Sequence, residues 1–514
     1  MLQSRRGVLT LLPMSATNFP LIERRCGSCR DLLSLKGRRA TVMGLGSLGG
    51  AVQAVRFLVE AGAMVTVTDQ KPAGQLAASL RELSGVAVER YALGGHDEED
   101  FRDTDLVVAN PAVRPDHPLL KLAVSSGVAI TTEVQLFLER CPAPVAAVTG
   151  SNGKSTTTAM LHRIFDIAHQ RGVGGRAWLG GNIGVSLLNR LPEIQADDVV
   201  VMELSSFQLY WLNQISWSPS LGVVTNFAPN HLDWHDTVKH YREAKQSIFR
   251  WQTPGDVAVV NDNDADASQW PTSGNRLGFG WKADESRHPA RWGVFSFTVG
   301  GGANECRTEV VLPGSREEFP LKSWLRVPGV HNLQNAMAAT AAASAWNISL
   351  AVVEEALSGY PALPHRLERV GEVEGREFFN DSLATTPESA IVGIEAFERP
   401  VVLLAGGYDK GVNLAAMSQV IARHCRVVVL MGQTANEIER QVREASGEGS
   451  GPIIVRSSDP QEAFAAAWEA SQPGDVVLLS PGCASYDWFQ NFRDRGEQFR
   501  AFVSKLDERA KDRV

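Results

Sequence analysis

The sequence predicts an α/β fold of three successive domains: a Rossmann-like N-terminal domain, a central P-loop ATPase-like domain and a C-terminal Rossmann-like α/β domain. Three observations favour this fold. A glycine triplet follows an apolar run near residue 44, a glycine turn followed by a lysine comes after another apolar run near residue 150, and buried-type strands alternate with helical segments in the last third of the chain. A chain of 514 residues is also too long for one hydrophobic core.

The first domain carries a strand, a glycine turn, a helix and a second strand in that order. Gly44, Gly46 and Gly49 form G-x-G-x-x-G, and Asp69 ends the next strand, where a dinucleotide fold places its ribose-binding acid. The pattern predicts a nucleotide-binding domain but leaves the nucleotide open. The alternative is a glycine turn that only packs a helix against a strand.

The stretch at residues 144–158, P-V-A-A-V-T-G-S-N-G-K-S-T-T-T, predicts a phosphate site. Glycines let successive backbone N–H groups point at one spot, and the helix start at residues 155–168 adds unpaired donors. We call residues 149–153 the phosphate loop. Lys154 supplies a full charge, and Ser155 or Thr156 offers a hydroxyl to Mg²⁺. The match to a Walker motif is imperfect, because Val148 stands where the first glycine belongs.

Two later strands end in groups suited to metal ions. The strand at residues 198–203 ends in Glu203, and an acid there holds the metal in P-loop folds, the alternative being a cap of the next turn. His231, Asp233 and His235 are close in sequence after the strand at residues 221–226. Their spacing leaves a metal site and a structural role equally open.

Four expectations concern the rest of the central domain. By pattern alone, Lys245 is a solvated lysine on a helix, and residues 261–325 are polar and irregular without evident chemistry. Asn332 is predicted to cap an alanine-rich helix. Asn335, one turn further, points back to the start of that helix.

The third domain begins near residue 363, after the Tyr360-Pro361 break. Three apolar runs, residues 401–407, 426–432 and 475–482, predict strands of one sheet, each followed by a turn of glycine, serine or proline. Ligands gather at the carboxyl ends of such strands.

Composition excludes several classes of protein. With 44% hydrophobic and 21% charged residues and a formal charge of −8, the chain gives no support to nucleic-acid binding or to a basic membrane face. Six scattered cysteines suit a reducing compartment, and the lone pair Cys26 and Cys29 makes a zinc site improbable. No apolar run is long enough to span a bilayer. We expect a cytoplasmic monomer without membrane insertion, with residues 1–35 as a tail or as the result of a misplaced start codon.

Ten motifs in one order resemble the Mur ligases over almost the whole chain beyond that tail. They are G-L-G-x-x-G, T-G-S-N-G-K-S-T, G-G-N-I-G, E-L-S-S-F-Q-L, N-x-x-x-x-H-L-D, Y-R-x-A-K, G-x-H-N-x-x-N-A, H-R-x-E, N-D-S-x-A-T and S-P-G-C-A-S-x-D-x-F. The resemblance is strongest to the branch of the family that adds glutamate to UDP-N-acetylmuramoyl-L-alanine in peptidoglycan synthesis. It implies a UDP-substrate domain at residues 36–142, an ATP domain at 143–361 and an amino-acid domain at 362–514.

The resemblance also implies roles for individual residues. The catalytic residues would be Lys154, His231 and Lys245. Two Mg²⁺ ions would bind near Ser155 and Glu203 and near His231, with Lys245 carbamylated so that a cation becomes an anion able to approach a metal. ATP would contact Gly150, Ser151, Asn152, Gly153, Lys154, Ser155, Thr156, Asn335, Arg366 and Asp381. The UDP-linked substrate would contact Gly46, Ser47, Leu48, Asp69, Gln70, Lys71, Asn182, Ser205 and Gln208. Glutamate would contact Lys410, Ser485 and Phe492.

The chain departs from the family pattern near the glutamate site. Leu383 stands where the family has a lysine, and Tyr408 stands where a family acid can sit. Loss of a cation removes a charge-assisted bond to a carboxylate, which leaves D-glutamate and L-glutamate open. Asn110 and Ala112 are milder departures in the loop that faces UDP.

Three rival functions remain for comparison. A folylpolyglutamate synthase would lack the N-terminal glycine triplet. An NAD-dependent oxidoreductase fused to an ATPase module would need a nicotinamide pocket with a proton donor, and none is visible. An inactive scaffold is disfavoured because Lys154, Glu203, His231, Lys245 and Arg366 are all present.

Overall fold

A computed structural model of the chain describes residues 35–46, 49–282, 292–298, 306–447 and 451–511. Its contacts divide the chain into two compact units. The first takes in the described residues up to Asn152 together with His169–Pro320 and Thr340–Ile348, and the second takes in Gly153–Ala168, Leu321–Ala339 and the residues from Ser349 onward. The three domain ranges therefore stay predictions. Ser47, Leu48 and the Cys26 and Cys29 pair lie outside the described residues.

The first sheet is the predicted Rossmann-like element. Its strands and helices are β1 (Arg39–Met43), α1 (Gly50–Glu60), β2 (Met64–Asp69), α2 (Ala77–Glu82), β3 (Arg90–Leu93), α3 (Glu99–Arg102), β4 (Leu106–Ala109), α4 (Pro118–Ser125), β5 (Ala129–Thr131) and α5 (Glu133–Leu138). The five strands are parallel in the order β3-β2-β1-β4-β5. The order reverses between β1 and β4, so the glycine turn after β1 lies at the crevice where such sheets bind ligands.

The second sheet has nine strands. The elements of this part of the chain are β6 (Val145–Thr149), α6 (Lys154–Gln170), β7 (Ala177–Gly181), β8 (Val199–Glu203), α7 (Ser206–Gln214), β9 (Leu221–Val224), α8 (Leu232–His235), α9 (Val238–Arg250), β10 (Val257–Asn261), β11 (Asn275–Trp281), β12 (Gly293–Thr298), β13 (Cys306–Leu312), β14 (Ser315–Phe319), α10 (Leu321–Trp324), α11 (Val330–Ala345) and α12 (Leu350–Ser358). The order is β14-β13-β12-β11-β10-β9-β6-β8-β7, with only β13 and β14 antiparallel to their neighbours. The phosphate loop follows β6, whose five residues are all buried.

Two predictions for this region are wrong. The described residues between 261 and 325 are not irregular, because β11 to β14 lie there and extend the sheet. Their polar side chains reflect an edge hairpin, since four of the five residues of β14 are exposed. Asn332 does not cap α11, which begins at Val330. Its side-chain amide lies within the first turn and donates to the Pro328 carbonyl oxygen at 2.6 Å.

The third sheet is built by the last part of the chain. Its elements are β15 (Glu368–Val373), β16 (Arg376–Asn380), α13 (Pro387–Ile394), β17 (Val401–Gly406), α14 (Ala415–His424), β18 (Cys425–Met431), α15 (Ala435–Ser446), β19 (Ile453–Arg456), α16 (Pro460–Ala470), β20 (Val476–Leu479) and α17 (Phe492–Lys511). The order is β15-β16-β20-β17-β18-β19, and only β15 is antiparallel to its neighbour. The three predicted strands are confirmed as the adjacent strands β20, β17 and β18. No helix in the described part of the chain is long and apolar enough to cross a bilayer.

Candidate active site

Asp69 anchors the glycine turn of the first sheet. It ends β2, as predicted, and is only 6% exposed. One carboxylate oxygen accepts from the Gly46 backbone N–H at 3.0 Å and the other from the Lys71 backbone N–H at 2.8 Å. The Ser79 hydroxyl donates to the Gly46 carbonyl oxygen at 2.6 Å. The backbone conformation of this turn depends on glycine, since φ is +57° at Gly46.

The other predicted uracil contacts are available to a ligand. The Gln70 and Lys71 residues follow Asp69 and are both exposed. Each carboxylate oxygen of Asp69 accepts a hydrogen bond from one backbone N–H, which defines its role in anchoring the turn. Its contact with a ribose or a uracil stays a prediction.

The phosphate loop is held in place by the residues that follow β9. The Asn226 side chain accepts from the Asn152 backbone N–H at 2.8 Å and donates to the Asn152 carbonyl oxygen at 3.1 Å. The Thr225 hydroxyl donates to the same carbonyl oxygen. A side chain at Gly150, where φ is +149°, would lie 1.9 Å from the Thr225 hydroxyl oxygen. Only glycine fits this position, which explains why the loop needs it although the first Walker glycine is missing.

Ser151 also fixes the phosphate loop through its side chain. Its hydroxyl donates to the Ala228 carbonyl oxygen at 2.7 Å and lies 3.2 Å from the Tyr241 hydroxyl. The backbone N–H of Ala228 donates back to the Ser151 hydroxyl at 2.8 Å. The loop is thus fixed by side chains from the segment after β9 and from α9, before any nucleotide binds.

The prediction that Lys245 is a solvated lysine, made from the sequence pattern alone, is wrong. Lys245 is 1% exposed, not solvated. Its Nζ donates to the Gly150 carbonyl oxygen at 2.7 Å and to the Thr149 hydroxyl at 3.3 Å, and it lies 5.0 Å from the centre of the Tyr241 ring. Helix α9 therefore delivers an amine to the base of the phosphate loop.

Glu203 is the buried carboxylate predicted at the end of β8. It pairs in register with Val148 of β6 and with Gly181 of β7, so it lies beside the residues that lead into the phosphate loop. Its Oε1 accepts from the Asn182 side chain at 2.8 Å. Its Oε2 is buried and has no hydrogen-bond partner among the described residues. A buried carboxylate oxygen without a donor carries a high desolvation cost unless a cation compensates it.

The residues present fit a magnesium ion at Glu203. Mg²⁺ prefers oxygen ligands, and the free Oε2 is such a ligand. No group of three or more His, Cys, Asp or Glu side chains converges in the part of the chain that the structure describes. Glu203 would therefore be the main protein carboxylate at the ion, with substrate and water as the remaining ligands.

The two predicted substrate contacts after β8 have a structural role. The Ser205 hydroxyl accepts from the Gln208 backbone N–H at 3.2 Å, and the Gln208 side chain accepts from the Ser205 backbone N–H at 2.9 Å. This capping box satisfies two donors at the start of α7. Their contact with a substrate stays a prediction.

The three residues considered as metal ligands, His231, Asp233 and His235, do not form a metal site together. His231 is exposed, with its ring 5.0 Å from the Phe207 ring. His235 is fully buried, its Nε2 lies 3.0 Å from the Ser206 hydroxyl, and burial lowers its pKa to about 4. His235 is therefore a neutral core residue. His231 is the histidine that remains accessible to a ligand.

In the second unit, Asn335 supports the start of α6. Lys154 is the first residue of this helix and is partly exposed, as is Ser155, whereas Thr156 is buried. The Thr157 hydroxyl donates to the Asn335 side-chain oxygen at 3.2 Å. A side chain at Gly153 would lie 2.3 Å from that oxygen. As predicted, Asn335 also points back along its own helix, donating to the Asn332 side chain at 3.3 Å.

Arg366 precedes the third sheet and is partly exposed, whereas Asp381 directly follows β16 and is buried. Asp381 accepts from the Leu367 backbone N–H at 3.1 Å and from the Ser480 hydroxyl at 2.7 Å. Burial raises the pKa of Asp381 to about 7. Burial, followed by the charge of Arg366, lowers the pKa of His331 to about 4. The Nε of Arg366 is buried without a hydrogen-bond partner in the described residues, which leaves it a donor for a ligand.

The predicted glutamate contacts come from two turns and from the start of α17. Ser485 is buried, Phe492 is partly buried and Lys410 is exposed, with its Nζ 5.5 Å from the centre of the Tyr486 ring. Tyr408 is also exposed, and its backbone N–H donates to the Ala484 carbonyl oxygen at 2.9 Å. Their approach to glutamate stays a prediction.

Sequence reasoning missed Arg495, which is fully buried beside these turns. Its guanidinium donates to the Ser382 hydroxyl at 3.0 Å, the Ser382 carbonyl oxygen at 2.9 Å and the Cys483 carbonyl oxygen at 3.2 Å. Burial lowers its pKa to about 10. Arg495 joins the turn that contains Leu383 to the turn that contains Ser485. Asn226 was missed as well, although it opens the quoted motif N-x-x-x-x-H-L-D.

Three family models match consecutive parts of the chain. They are described as the Mur ligase MurD-like N-terminal domain at residues 38–132, the Mur ligase middle domain at 148–343 and the Mur ligase glutamate ligase domain at 365–483. Among curated proteins, the chain is similar to the UDP-N-acetylmuramoylalanine–D-glutamate ligase of Roseiflexus sp., with 38% identity over 92% of this chain and 100% of the relative. The protein of the same name from Acetivibrio thermocellus is 35% identical over 92% of this chain and 97% of the relative.

Solved structures support the same architecture. The UDP-N-acetylmuramate-alanine ligase MurC from Thermotoga maritima aligns with a TM-score of 0.56 and 21% identity, covering 92% of this chain and all of that one. The MurF ligase from Thermotoga maritima, solved in complex with ADP, aligns with a TM-score of 0.54 and 17% identity over 94% of this chain and all of that one. These likenesses establish the fold. The family models, together with the relatives above 30% identity over nearly their full lengths, show that the chain belongs to the Mur ligase family.

Proposed function

We propose that this protein joins D-glutamate to UDP-N-acetylmuramoyl-L-alanine, converting ATP to ADP and phosphate, in the synthesis of peptidoglycan. The observation that carries the proposal is the extent of the match: relatives named for this activity are 35–38% identical over more than nine-tenths of the chain. Neither of these two relatives is named as an oxidoreductase, so they do not favour that alternative. The proposed place of action is the cytoplasm, where ATP and UDP-linked precursors are made, and the proposed form is a monomer, which sedimentation would test.

The chemistry explains why a phosphate site is needed. A carboxylate is a poor acyl donor, because its oxygen cannot leave as an oxide. Attack of the substrate carboxylate oxygen on the γ-phosphorus of ATP expels ADP and gives an acyl phosphate. The glutamate amine then attacks the acyl carbon, and the tetrahedral intermediate expels phosphate and loses a proton, so that an amide bond forms.

The first step brings two anions together, and the protein must reduce their repulsion. The backbone N–H groups of the phosphate loop and the charge of Lys154 are proposed to bind the ATP phosphates. Asn335, Arg366 and Asp381 are proposed to bind the rest of ATP. Mg²⁺, held by Glu203 and, as a second ion, by His231 with carbamylated Lys245, would supply further positive charge to the developing transition state.

An assay of phosphate release tests the proposal. We expect release only when ATP, UDP-N-acetylmuramoyl-L-alanine and D-glutamate are supplied together. Lys154→Ala should abolish acyl-phosphate formation. L-glutamate is the informative comparison, because Leu383 replaces a cation of the family motif. Release with L-glutamate alone would replace the D-glutamate assignment, and release with neither would refute the glutamate assignment.

The carbamate on Lys245 has a separate test. Lys245→Ala should lose activity, and a short carboxylic acid such as acetate should restore part of it by replacing the lost anion. The matched control is Lys239→Ala on the same helix, whose side chain is 81% exposed and pairs only loosely with Glu243, at 3.9 Å. Full activity of Lys245→Ala without added acid would exclude the carbamate.

A further inference from the structure

One polar loop of the first sheet reaches from the glycine turn to the turn that carries His231. We call residues 110–117, which follow β4, the β4 loop, and residues 230–236 the His231 turn. The Asn110 side chain donates to the Gly44 carbonyl oxygen at 3.2 Å and accepts from the Ala112 backbone N–H at 3.0 Å. The Trp234 indole N–H donates to the Ala112 carbonyl oxygen at 2.9 Å. A continuous series of hydrogen bonds therefore joins the two turns.

Arg114 adds an ion pair to this connection. Its two terminal nitrogens donate to the two carboxylate oxygens of Asp236 at 2.8 and 2.7 Å, which is the two-pronged geometry that makes arginine pairs specific. The same guanidinium contacts Asp116 at 3.0 Å and the Asp233 carbonyl oxygen at 3.3 Å. Hydrogen bonds from Arg114 hold the pKa of Asp236 and of Asp116 below their usual range, so both stay ionised at neutral pH.

The His231 turn needs such support, because its backbone is locally unfavourable. His231 has φ of +52° and Asp236 has φ of +60°, in the left-handed region that side chains other than glycine rarely adopt. The two residues flank the single turn of α8. Between them, the buried Trp234 packs against the rings of Phe207 and Tyr210 at 5.0 and 5.4 Å. The turn is thus fixed at Trp234 and Asp236 by contacts with the β4 loop.

We propose that Arg114 is a positioning residue that acts through Asp236 to hold His231 in its left-handed conformation, and so couples the UDP-facing loop to the His231 turn. Only the expected change in kcat/KM rests on the proposed function, whereas the positioning of His231 does not. A UDP-linked substrate that orders the β4 loop would then also order His231. The two residues of the ion pair are not among the residues for which the sequence predicted a role.

The experiment compares wild type with Arg114→Ala, Asp236→Asn and the double variant. Asparagine tolerates the left-handed region as aspartate does, so Asp236→Asn removes the charge and keeps the backbone preference. Both side chains are partly exposed, at 34% and 63%, so their removal leaves the packed core intact. The matched control is Arg102→Ala, which removes an exposed ion pair between the last residue of α3 and Glu98, the residue before that helix.

Two readouts separate positioning from general stability. Each single variant should raise the hydrogen exchange of amides in residues 231–236 and lower kcat/KM for the UDP-linked substrate about fivefold, the upper range for an exposed pair, with KM for ATP unchanged. Arg114→Lys should restore only part of the loss, because one ammonium cannot reproduce two parallel bonds. The double variant should lose no more than Arg114→Ala alone, since the interaction that Asp236→Asn removes is already absent in Arg114→Ala.

Three results would overturn the proposal: unaltered exchange in residues 231–236, unaltered kcat/KM, or single losses that multiply in the double variant. A loss equal to that of Arg102→Ala would also overturn it, since the effect would then be that of any surface ion pair. Hydrogen exchange needs no catalysis. A wild-type protein without ligase activity would therefore refute the proposed function and still leave the exchange result to decide on the positioning role.

Discussion

At the scale of single residues, two buried carboxylates at the two ends of β8 differ in their hydrogen bonds. Asp198, immediately before the strand, accepts from the Arg176 and Gln195 backbone N–H groups and from the Trp178 indole N–H. Glu203, the last residue of the strand, has one oxygen without a hydrogen-bond partner among the described residues. We therefore divide their roles: Asp198 stabilises the fold, and Glu203 is available to a ligand.

This contrast gives a prediction with an internal control. Glu203→Gln should lower kcat about a hundredfold, the order lost when a charge-stabilising group is removed, without lowering the midpoint of thermal unfolding. Asp198→Asn should do the opposite, leaving kcat unchanged and costing about 1–3 kcal/mol of unfolding free energy, because a buried N–H loses its acceptor. Loss of stability in Glu203→Gln equal to that in Asp198→Asn would contradict the division.

Asp381 predicts a pH dependence of stability. Burial raises its pKa to about 7, above the value of about 3.9 for an unfolded chain. The native state therefore binds more protons than the unfolded state between about pH 4 and pH 7, so the contribution of Asp381 falls as pH rises through this window and is level above it. The free energy of unfolding of wild type minus that of Asp381→Asn should decline from pH 4 to pH 7. A difference in unfolding free energy that rises with pH would contradict the raised pKa of Asp381. The subtraction is needed because His235 and His331, with lowered pKa, give slopes of the opposite sign.

At the scale of elements, the predicted site residues of each sheet lie on turns at the carboxyl ends of parallel strands, and each turn is fixed by a neighbouring segment. Asp69 of β2 fixes the turn after β1, and Asn226 after β9 fixes the phosphate loop after β6. Arg495 of α17 fixes the turns at residues 382 and 483. The strands bring the turns to one edge of each sheet, and the cross-bonds set their conformation.

Asn226 provides the test at this scale. Asn226→Ala removes both hydrogen bonds to the Asn152 backbone and should raise KM for ATP about tenfold, which corresponds to about 1.4 kcal/mol, with little change in KM for glutamate. Asn226→Asp should lie between wild type and alanine, because a carboxylate can accept from the Asn152 N–H but cannot donate to its carbonyl oxygen. Nucleotide affinity measured by calorimetry would check both variants. Equal affinity in Asn226→Ala and wild type would show that the loop holds its conformation without this residue.

At the scale of the whole molecule, the sequence predicted the centres of the sheets better than their edges. The central strands β17, β18 and β20 are continuous apolar runs, because helices cover both faces of a parallel sheet. The edge strands β14 and β19 are exposed or partly exposed over most of their length, and their mixed side chains resemble those of a loop. Asn332 was predicted to cap its helix because asparagine is a favoured capping residue, whereas it lies within the first turn.

The site was predictable where the chemistry is encoded in the chain order and unpredictable where it depends on distant residues. The phosphate loop, Asp69 and Glu203 were found because each lies where a strand ends. Lys245 was assigned to solvent, although Tyr241, Ala244 and Ile248 mark its side of α9 as the buried face, at helical spacing. Arg114 and Asp236 are 122 residues apart, and no local pattern indicates their pairing.

The core of the third sheet allows a test of the domain boundary predicted at residue 362. Two separate hydrophobic clusters cover its opposite faces, with Leu403 on one and Leu404 on the other, so alternate residues of β17 are buried on both sides. A unit of about 150 residues with its own core is large enough to fold alone. A fragment of residues 362–514 should therefore unfold cooperatively on heating, followed by circular dichroism. The control fragment 401–514 lacks β15 and β16, so β20 loses a paired neighbour and α17 loses its packing partner β15, and it should show no cooperative transition. Cooperative unfolding of the shorter fragment, or none in the longer one, would place the boundary elsewhere.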